Sequence, residues 1–499
     1  MSARDTLLPI YLDYAATTPI DPSVVEAMVS CLRAEGGLGS PSAQHAFGRR
    51  AARRIEAARA EVAALIGARP EEIIFTSGAT ESDNLAILGA ARAAERGRHV
   101  LSSRIEHKAG LDPCRQLERD GFAVSLVSPE RTGRIAVEAV AQALRADTVL
   151  ASIMWVNNET GVIQDIASIS ALCRERGILF HTDAAQAVGK MPIDVHTLPI
   201  DLMSFTAHKL YGPKGVGALY VRTGVRPWLR PLAFGGGQEH GLRPGTLPTH
   251  QIVGFGAACA RAQAALGSEG EAERILNLRE ALWARLRTLE GTLLNGAGAA
   301  RVPGILNVSF EGVEGESLLQ GLSELALSTG SACNSASAEP SYVLRALGRD
   351  RELAQSSLRF SFGRFTGEAE IEAAAAAVRR ELERLRALSP AACRPGGTGG
   401  AAEVLGEAGG PGQEVWVRFR LQVRDGRVES ASHQVYGCPH TLAAAAWLAD
   451  RLRGRTRLTL VPGTPTEWAH ALQVPVEKLG RLLTLEDALR ECQRQWPGV

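Results

Sequence analysis

Apolar runs of strand length and amphipathic stretches of helix length take turns from Ile55 to about Thr249. Helical spacing is clear in RRIEAARAEVAALIGA and DIASISALCRERG, and the short apolar runs EIIFT, TVLASIMWV, ILFHTD, LMSFTA and GALYV separate such stretches. Strand–helix alternation of this kind predicts a doubly wound, mostly parallel sheet. From about Ala265 a long helical pattern, AERILNLREALWARLRTLEG, leads to the strand candidates ILNVSFE and SLRFSFG, and EAEIEAAAAAVRRELERLRALS closes this part as a further helix. Residues 19–264 are therefore expected to form a large domain, and residues 1–18 with 265–390 a smaller α/β domain. The Gly-rich stretch 391–412 is expected to be a linker. Residues 413–499 form a third unit, in which VWVRFRLQVRDGRVESASHQVYG alternates like an antiparallel hairpin turning at Asp425-Gly426, followed by the helix TLAAAAWLADRLRGRT.

The length of 499 residues suits about three domains. A net charge of +1 gives no electrostatic case for nucleic acid or a membrane surface, and no apolar run reaches the roughly 18 residues of a transmembrane helix. The N-terminus lacks a signal-peptide core. The eight cysteines (31, 114, 173, 259, 333, 393, 438 and 492) are scattered singly with no C-x-x-C pair, which suits neither a disulfide framework nor a local zinc site and points to a reducing cytoplasm.

Two segments carry candidate chemistry. In SFTAHKLYGPKG, Lys209 follows a strand candidate and opens a Gly-rich turn beside Thr206 and His208. Alone it would be an ordinary surface lysine, but a hydroxyl and an imidazole next to it can hold a phosphate beside an amine. The cofactor that needs a lysine to capture its aldehyde is pyridoxal phosphate. Its ring nitrogen needs an acid at a strand end, which Asp183 in HTDAAQAVG supplies, and Gln186 is placed to reach the ring hydroxyl. The phosphate needs the backbone N–H groups of a helix start, and EIIFT runs into SGATES. His107 in RIEHKAG could cover the ring. The second segment, STGSACNSASA, sets Cys333 among small residues with no apolar or charged anchor, unlike a packed structural thiol.

These strings, with YLDYAATTP, FTSGATESDNLAI, EHKAGLDPCRQLE, VNNETGVIQDI, AHKLYGPKGVGALY, RPGTLP, ILNVSFEGVEGESLL, TGSACNSASAEPSYVLRALG and SSLRFSFGRFT, resemble the cysteine desulfurases of the NifS/IscS type, class-V aminotransferases within fold type I of the pyridoxal phosphate enzymes. The resemblance runs from Tyr11 to about Pro390. It implies that Lys209 binds the cofactor as a Schiff base and moves protons, and that Asp183 pairs with the ring nitrogen. Gln186 would meet the ring oxygen and His107 would stack on the ring. Ala79, Thr80, Thr206 and His208 would hold the phosphate, with Thr246 reaching it from the other subunit of a homodimer. Asn158 and Arg359 would bind the carboxylate of L-cysteine, a guanidinium fork being the matching shape. Cys333 would take the substrate sulfur as a persulfide and hand it to an acceptor protein such as an iron–sulfur scaffold, which gives the loop's freedom a purpose. Thr206 stands where the family usually has serine.

The third unit resembles an IscU/NifU-N-type scaffold in its hairpin, its Tyr-Gly-Cys turn, its Arg-Gly-Arg-Thr and the closing LLTLEDALREC. Of that family's three cysteines only Cys438 is kept. Pro-Gly-Gln-Glu414 and Gly480-Arg481 stand at the other ligand positions, so no metal is expected there. Cys438 could accept sulfur from Cys333, sit in a domain that only docks, or join a cluster shared with another chain. The alternatives for the enzyme are a selenocysteine lyase, a cysteine lyase, for which Cys333 has no use, and a transaminase. An inactive assembly platform would require damage among Lys209, Asp183, His107, Cys333 and Arg359, all of which are present.

Overall fold

The computed structural model describes residues 8–33, 38–268, 270–329, 339–388, 402–410 and 413–496. The chain enters on β1 (Ile10–Tyr11) and then lays down β2 (Ile73–Thr76), β3 (His99–Ser103), β4 (Ala123–Val127), β5 (Thr148–Ser152), β6 (Leu179–Asp183), β7 (Leu202–Thr206) and β8 (Gly217–Val221). The last seven form one sheet in the order β2-β8-β7-β6-β5-β3-β4. All neighbours are parallel except β8, which is antiparallel to both β2 and β7. β2, β7 and β8 are buried along their whole length, which is why they read as continuous apolar runs and not as alternating ones. One face packs on a core containing Phe75, Phe180, Phe205 and Phe255, the other on a core built around Leu85, Ile87 and Leu150.

The smaller domain carries β9 (Thr292–Leu294), β10 (Ile305–Phe310), β11 (Leu325–Ala326) and β12 (Ser357–Ser361). β12, β10 and β9 form an antiparallel sheet, whose core it shares with the helices Glu271–Leu286 and Glu368–Ala387, while β1 pairs in parallel with β11. The N-terminal strand thus lies with the small domain. The helix Thr249–Gly267 runs through the expected boundary at 264/265, because its Ile252, Phe255 and Cys259 stay in the large domain's core to near its end.

The third unit has a sheet of β13 (Ala402–Gly410), β14 (Val415–Arg424) and β15 (Arg427–Tyr436), with the helices Pro439–Leu452, Pro465–Leu472 and Leu479–Arg494 against it. The β14–β15 turn falls at Asp425-Gly426 as expected. The linker expectation needs correction. Residues 402–410 form a strand paired with β14 from Ala402–Val423 to Gly410–Val415. Glycine reads as a breaker, but here its missing side chain is a packing device: a Cβ on Gly406 would lie 2.1 Å from the Ala488 carbonyl and 2.4 Å from Cys492 Sγ. The helix Leu479–Arg494 can therefore lie directly on β13.

This unit docks on the small domain. Ser317 Oγ donates to the Gly437 carbonyl at 2.7 Å, and Val435 N donates to Leu388 O at 2.9 Å. Glu414 lies between Arg351 (2.5 Å) and Arg481 (3.1 Å), and Lys478 pairs with Glu316 at 2.6 Å. Among the described residues no helix is long and apolar enough to cross a membrane.

Candidate active site

The site forms at the carboxyl edge of the parallel strands, where open α/β sheets bind ligands. β6 ends at Asp183 and β7 at Thr206, and the strands are in register with Asp183 opposite Ser204. The next residues, Ala207–Lys209, form a short 3₁₀ turn, so Thr206, His208 and Lys209 follow at the edge where Asp183 ends.

Lys209 Nζ donates to the Ala15 carbonyl and, at 2.6 Å, to the Ala16 carbonyl. These belong to YLDYAATTP, the segment leaving β1. Gln186 Nε2 donates to the same Ala15 carbonyl at 2.8 Å. The N-terminal segment is thus a wall of the site. Asp183 is half-buried, and its Oδ1 accepts from Ala185 N at 2.8 Å. Burial raises its pKa, opposed by that N–H and by the charges of His107 and Lys209. Behind it, burial and the charge of Asp183 push Asp83 well above the carboxylate range. Burial drives His181, 3.5 Å from Asp83, down to about 3, so these two meet as neutral groups.

His107 caps the helix Lys108–Arg119, its Nδ1 accepting from Ala109 N at 3.1 Å, which leaves the proton on Nε2 in the neutral ring. His208 Nδ1 meets Thr17 Oγ1 at 3.2 Å. Burial, with Lys209, Lys214 and Lys190, lowers its pKa to about 4, so the imidazole is uncharged at neutral pH. Thr206 Oγ1 donates to Val216 O at 3.1 Å.

The helix Ala79–Ala93 begins with Gly78 at its cap and no side-chain cap bond. The first-turn N–H groups of Ala79 and Thr80 have no partner within the helix and suit an anion. A Cβ on Gly217 would fall 2.7 Å from Gly78 Cα, so only a glycine there lets the two backbones cross, and the crossing sets the helix start beside Thr206.

Arg359, on β12, is buried. Its Nη2 meets Asp13 Oδ1 at 2.7 Å and its Nη1 donates to the Asn158 carbonyl at 2.9 Å, while its Nε has no hydrogen-bond partner among the described residues. A guanidinium held on one side with a buried donor left over is the chemistry of a carboxylate receptor.

Cys333 lies outside the described residues, but both flanks of its segment are tied to the site. Ser328 O accepts from Arg359 N at 2.8 Å. On the far side Ser341 Oγ donates to buried Glu159 at 2.5 Å, and Tyr342 Oη donates to Glu106 O at 2.7 Å. Burial raises Glu159 to about 7. Thr246 is exposed and is not joined to these residues. Cys438 is fully buried, 3.3 Å from Thr441 Oγ1, beneath the contact between the third unit and the small domain, with Arg481 against it. Cys114, Cys173 and Cys492 are buried thiols pushed up to about 12 by desolvation, which suits packing.

Sequence reasoning assigned no role to Asp13, Glu159 or Lys190. Asp13 and Glu159 lie inside strings recognised as family-like and Lys190 directly follows HTDAAQAVG, and that was the available signal; the partners of Asp13 and Glu159 come from chain far away in sequence. Among the described residues there is no group of three or more His, Cys, Asp or Glu suited to a metal ion.

The residues gathered here fit pyridoxal phosphate: a half-buried carboxyl at a strand end, an amine at the neighbouring strand end, uncapped helix amides and a neutral imidazole. The chain is 55% identical over 385 residues to "Cysteine desulfurase IscS" of Pectobacterium atrosepticum, covering 77% of this chain and 95% of that protein. It is 56% identical over the same length and shares to the protein of that name from Cronobacter sakazakii. Among solved structures, a "NIFS-like protein" matches with TM-score 0.69 and 36% identity, covering 76% of this chain and 99% of the other. DndA from Streptomyces lividans matches with TM-score 0.60 and 43% identity, covering 71% and 99%. SspA, solved in complex with cysteine, matches with TM-score 0.63 and 39% identity, covering 72% and 100%. The family model "Aminotransferase class-V" matches residues 10–374, and on this span the chain belongs to the class-V aminotransferase family.

Proposed function

We propose that this chain is a pyridoxal-phosphate-dependent cysteine desulfurase, converting L-cysteine to L-alanine and passing the sulfur through Cys333 towards iron–sulfur cluster assembly or another sulfur acceptor. The observation that carries this is the meeting of Lys209 and Asp183, at the carboxyl edge of the large sheet, with Arg359 of β12, which is held by Asp13 and the Asn158 carbonyl, and with the flanks of the Cys333 segment tied to Arg359 and Glu159. When bound, the cofactor supplies an electron sink for the substrate's carbons.

The chain's own groups do the rest. Asp183 would pair with the ring nitrogen, His107 would cover the ring, and Gln186 would donate to the ring oxygen. Ala79, Thr80, Thr206 and His208 would hold the phosphate, with His208 contributing as a neutral donor. Arg359 and Asn158 would hold the substrate carboxylate, Arg359 exchanging part of its bond to Asp13 for it. Lys209 Nζ would take the proton from the substrate's α-carbon and act as the proton-transfer base. Cys333 follows Ser328 by five positions in the sequence. Its thiolate would attack the substrate sulfur, forming an S–S bond as the C–S bond breaks, and the electron pair left on carbon takes a proton to give alanine.

We further propose that residues 413–499, with β13, are a degenerate scaffold-like module that docks on its own enzyme. The burial of Cys438 and the Arg351–Glu414–Arg481 contacts favour docking over sulfur acceptance. A homodimer, with Thr246 reaching the other subunit's phosphate, is supported by the exposure of Thr246 and of the apolar Trp228 and Phe234, the latter 87% exposed. A cytoplasmic location is supported by cysteines that are free where described.

Products distinguish this function from its closest competitor. The cofactor-loaded protein given L-cysteine without reductant should form alanine, with one protein-bound sulfur per alanine in the first turnover, measured by amino-acid analysis and cold cyanolysis. Pyruvate with free sulfide would instead identify a lyase.

A further inference from the structure

Lys190 sits one turn beyond Gln186, in the same segment after β6, and has no part in the function proposed above. With Lys209 it lines a cavity of about 60 Å³ between the large and small domains. Its Nζ donates to Gln186 Oε1, and Gln186 Nε2 donates to the Ala15 carbonyl that also receives Lys209. The orientation of this amide is set by the Ala15 carbonyl, which can only accept and so must face the nitrogen, and this leaves the oxygen to Lys190 Nζ, which donates to it whether charged or neutral. Gln186 therefore keeps its NH2 end beside Lys209. In pyridoxal phosphate the ring oxygen is ortho to the carbon that a lysine captures, so a group beside Lys209 is a group beside that oxygen.

We propose that Lys190 is a positioning residue that locks Gln186 with its donor towards the cofactor's ring oxygen and, by its charge, lowers the proton affinity of the nitrogen that Lys209 shares with the cofactor. This rests on the cofactor site proposed above. Two effects act in the same direction. A fixed donor draws electron density from the ring oxygen and weakens that oxygen's hold on the neighbouring N–H proton. Below its own pKa, the Lys190 cation nearby disfavours a second positive charge. The coupling is visible from the other side, since burial lowers Lys190 to about 7 with the charges of Lys209 and Arg359 contributing, and such coupling is reciprocal. Asp183 and His107 face Lys209, His208 faces both lysines, and Tyr14, Tyr211, Glu271 and Arg364 line the same cavity as the pair.

The test is a spectrophotometric pH titration of the Lys209-bound cofactor in the full-length protein, comparing wild type with Lys190→Met, Lys190→Gln and Lys190→Arg. Lys190→Met should raise the midpoint by about one pH unit, a tenfold gain in proton affinity. Lys190→Arg should stay near wild type, and Lys190→Gln, which can still donate but carries no charge, should fall between. A Lys190→Met or Lys190→Gln midpoint equal to wild type would overturn the proposal, as would an equal shift in all three variants. Wild-type protein that takes up no pyridoxal phosphate in the same titration would instead overturn the cofactor site on which the proposal stands.

Discussion

Lys209→Ala should lose the cofactor's lysine-bound absorbance and reduce alanine formation by about 10,000-fold, the upper range for removing a positioned proton-transfer group. Lys209 Nζ is in the site before any ligand arrives, held by the Ala15 and Ala16 carbonyls. These bonds orient the amine without consuming its chemistry, since carbonyls accept and take no proton. The substitution leaves the fold's supports alone: β7 and β8 stay paired from Leu202–Val221 to Thr206–Gly217, and the core behind them does not include Lys209. Circular dichroism should therefore be unchanged while steady-state rate and absorbance collapse. Retained activity above a few per cent of wild type would remove Lys209 from the chemistry.

Arg359→Gln should raise KM for L-cysteine and lower kcat/KM by about 100-fold, corresponding to about 3 kcal/mol for one buried partner of a charge-assisted pair. The guanidinium is in place through Asp13 and the Asn158 carbonyl, with Nε left over. Glutamine keeps a donor but loses the fork and the charge, and it leaves Asp13 without its cation. Arg359→Lys should recover little, because a single ammonium cannot make two parallel bonds. Since Arg359 N also holds Ser328 O through the backbone, both substitutions should preserve the tether of the Cys333 segment. The loss should appear in substrate binding, read from steady-state kinetics with cysteine varied.

Much of this site was legible because each main functional group sits in a short string whose local structure is set locally. Asp183 ends an apolar strand, Lys209 opens the turn after the next one, and SGATES starts a helix. What could not be read are contacts made by the fold. Asp13 meets Arg359 across 346 positions, and Ser341 meets Glu159 across 182. The hydrogen bond of Lys190 to Gln186 is local, but its meaning depends on Ala15, brought in from the N-terminus. β13 was missed because composition signals backbone freedom, whereas Gly406 is used for helix approach. The docking contacts of the third unit were equally hidden, since only the fold brings Glu414 and Arg481 together, between Arg351 and Glu314 of the small domain.

The most direct measurement is peptide mass spectrometry of the pyridoxal-loaded protein after sulfur-labelled L-cysteine, without reductant, in wild type, Cys333→Ala and Cys438→Ala. Label is expected on Cys333, none on Cys438, no label in Cys333→Ala, and an unchanged pattern in Cys438→Ala. Label that passes from Cys333 to Cys438 would contradict the docking role and make the third unit a built-in acceptor. Alanine formed with no label on Cys333 would contradict the desulfurase account itself.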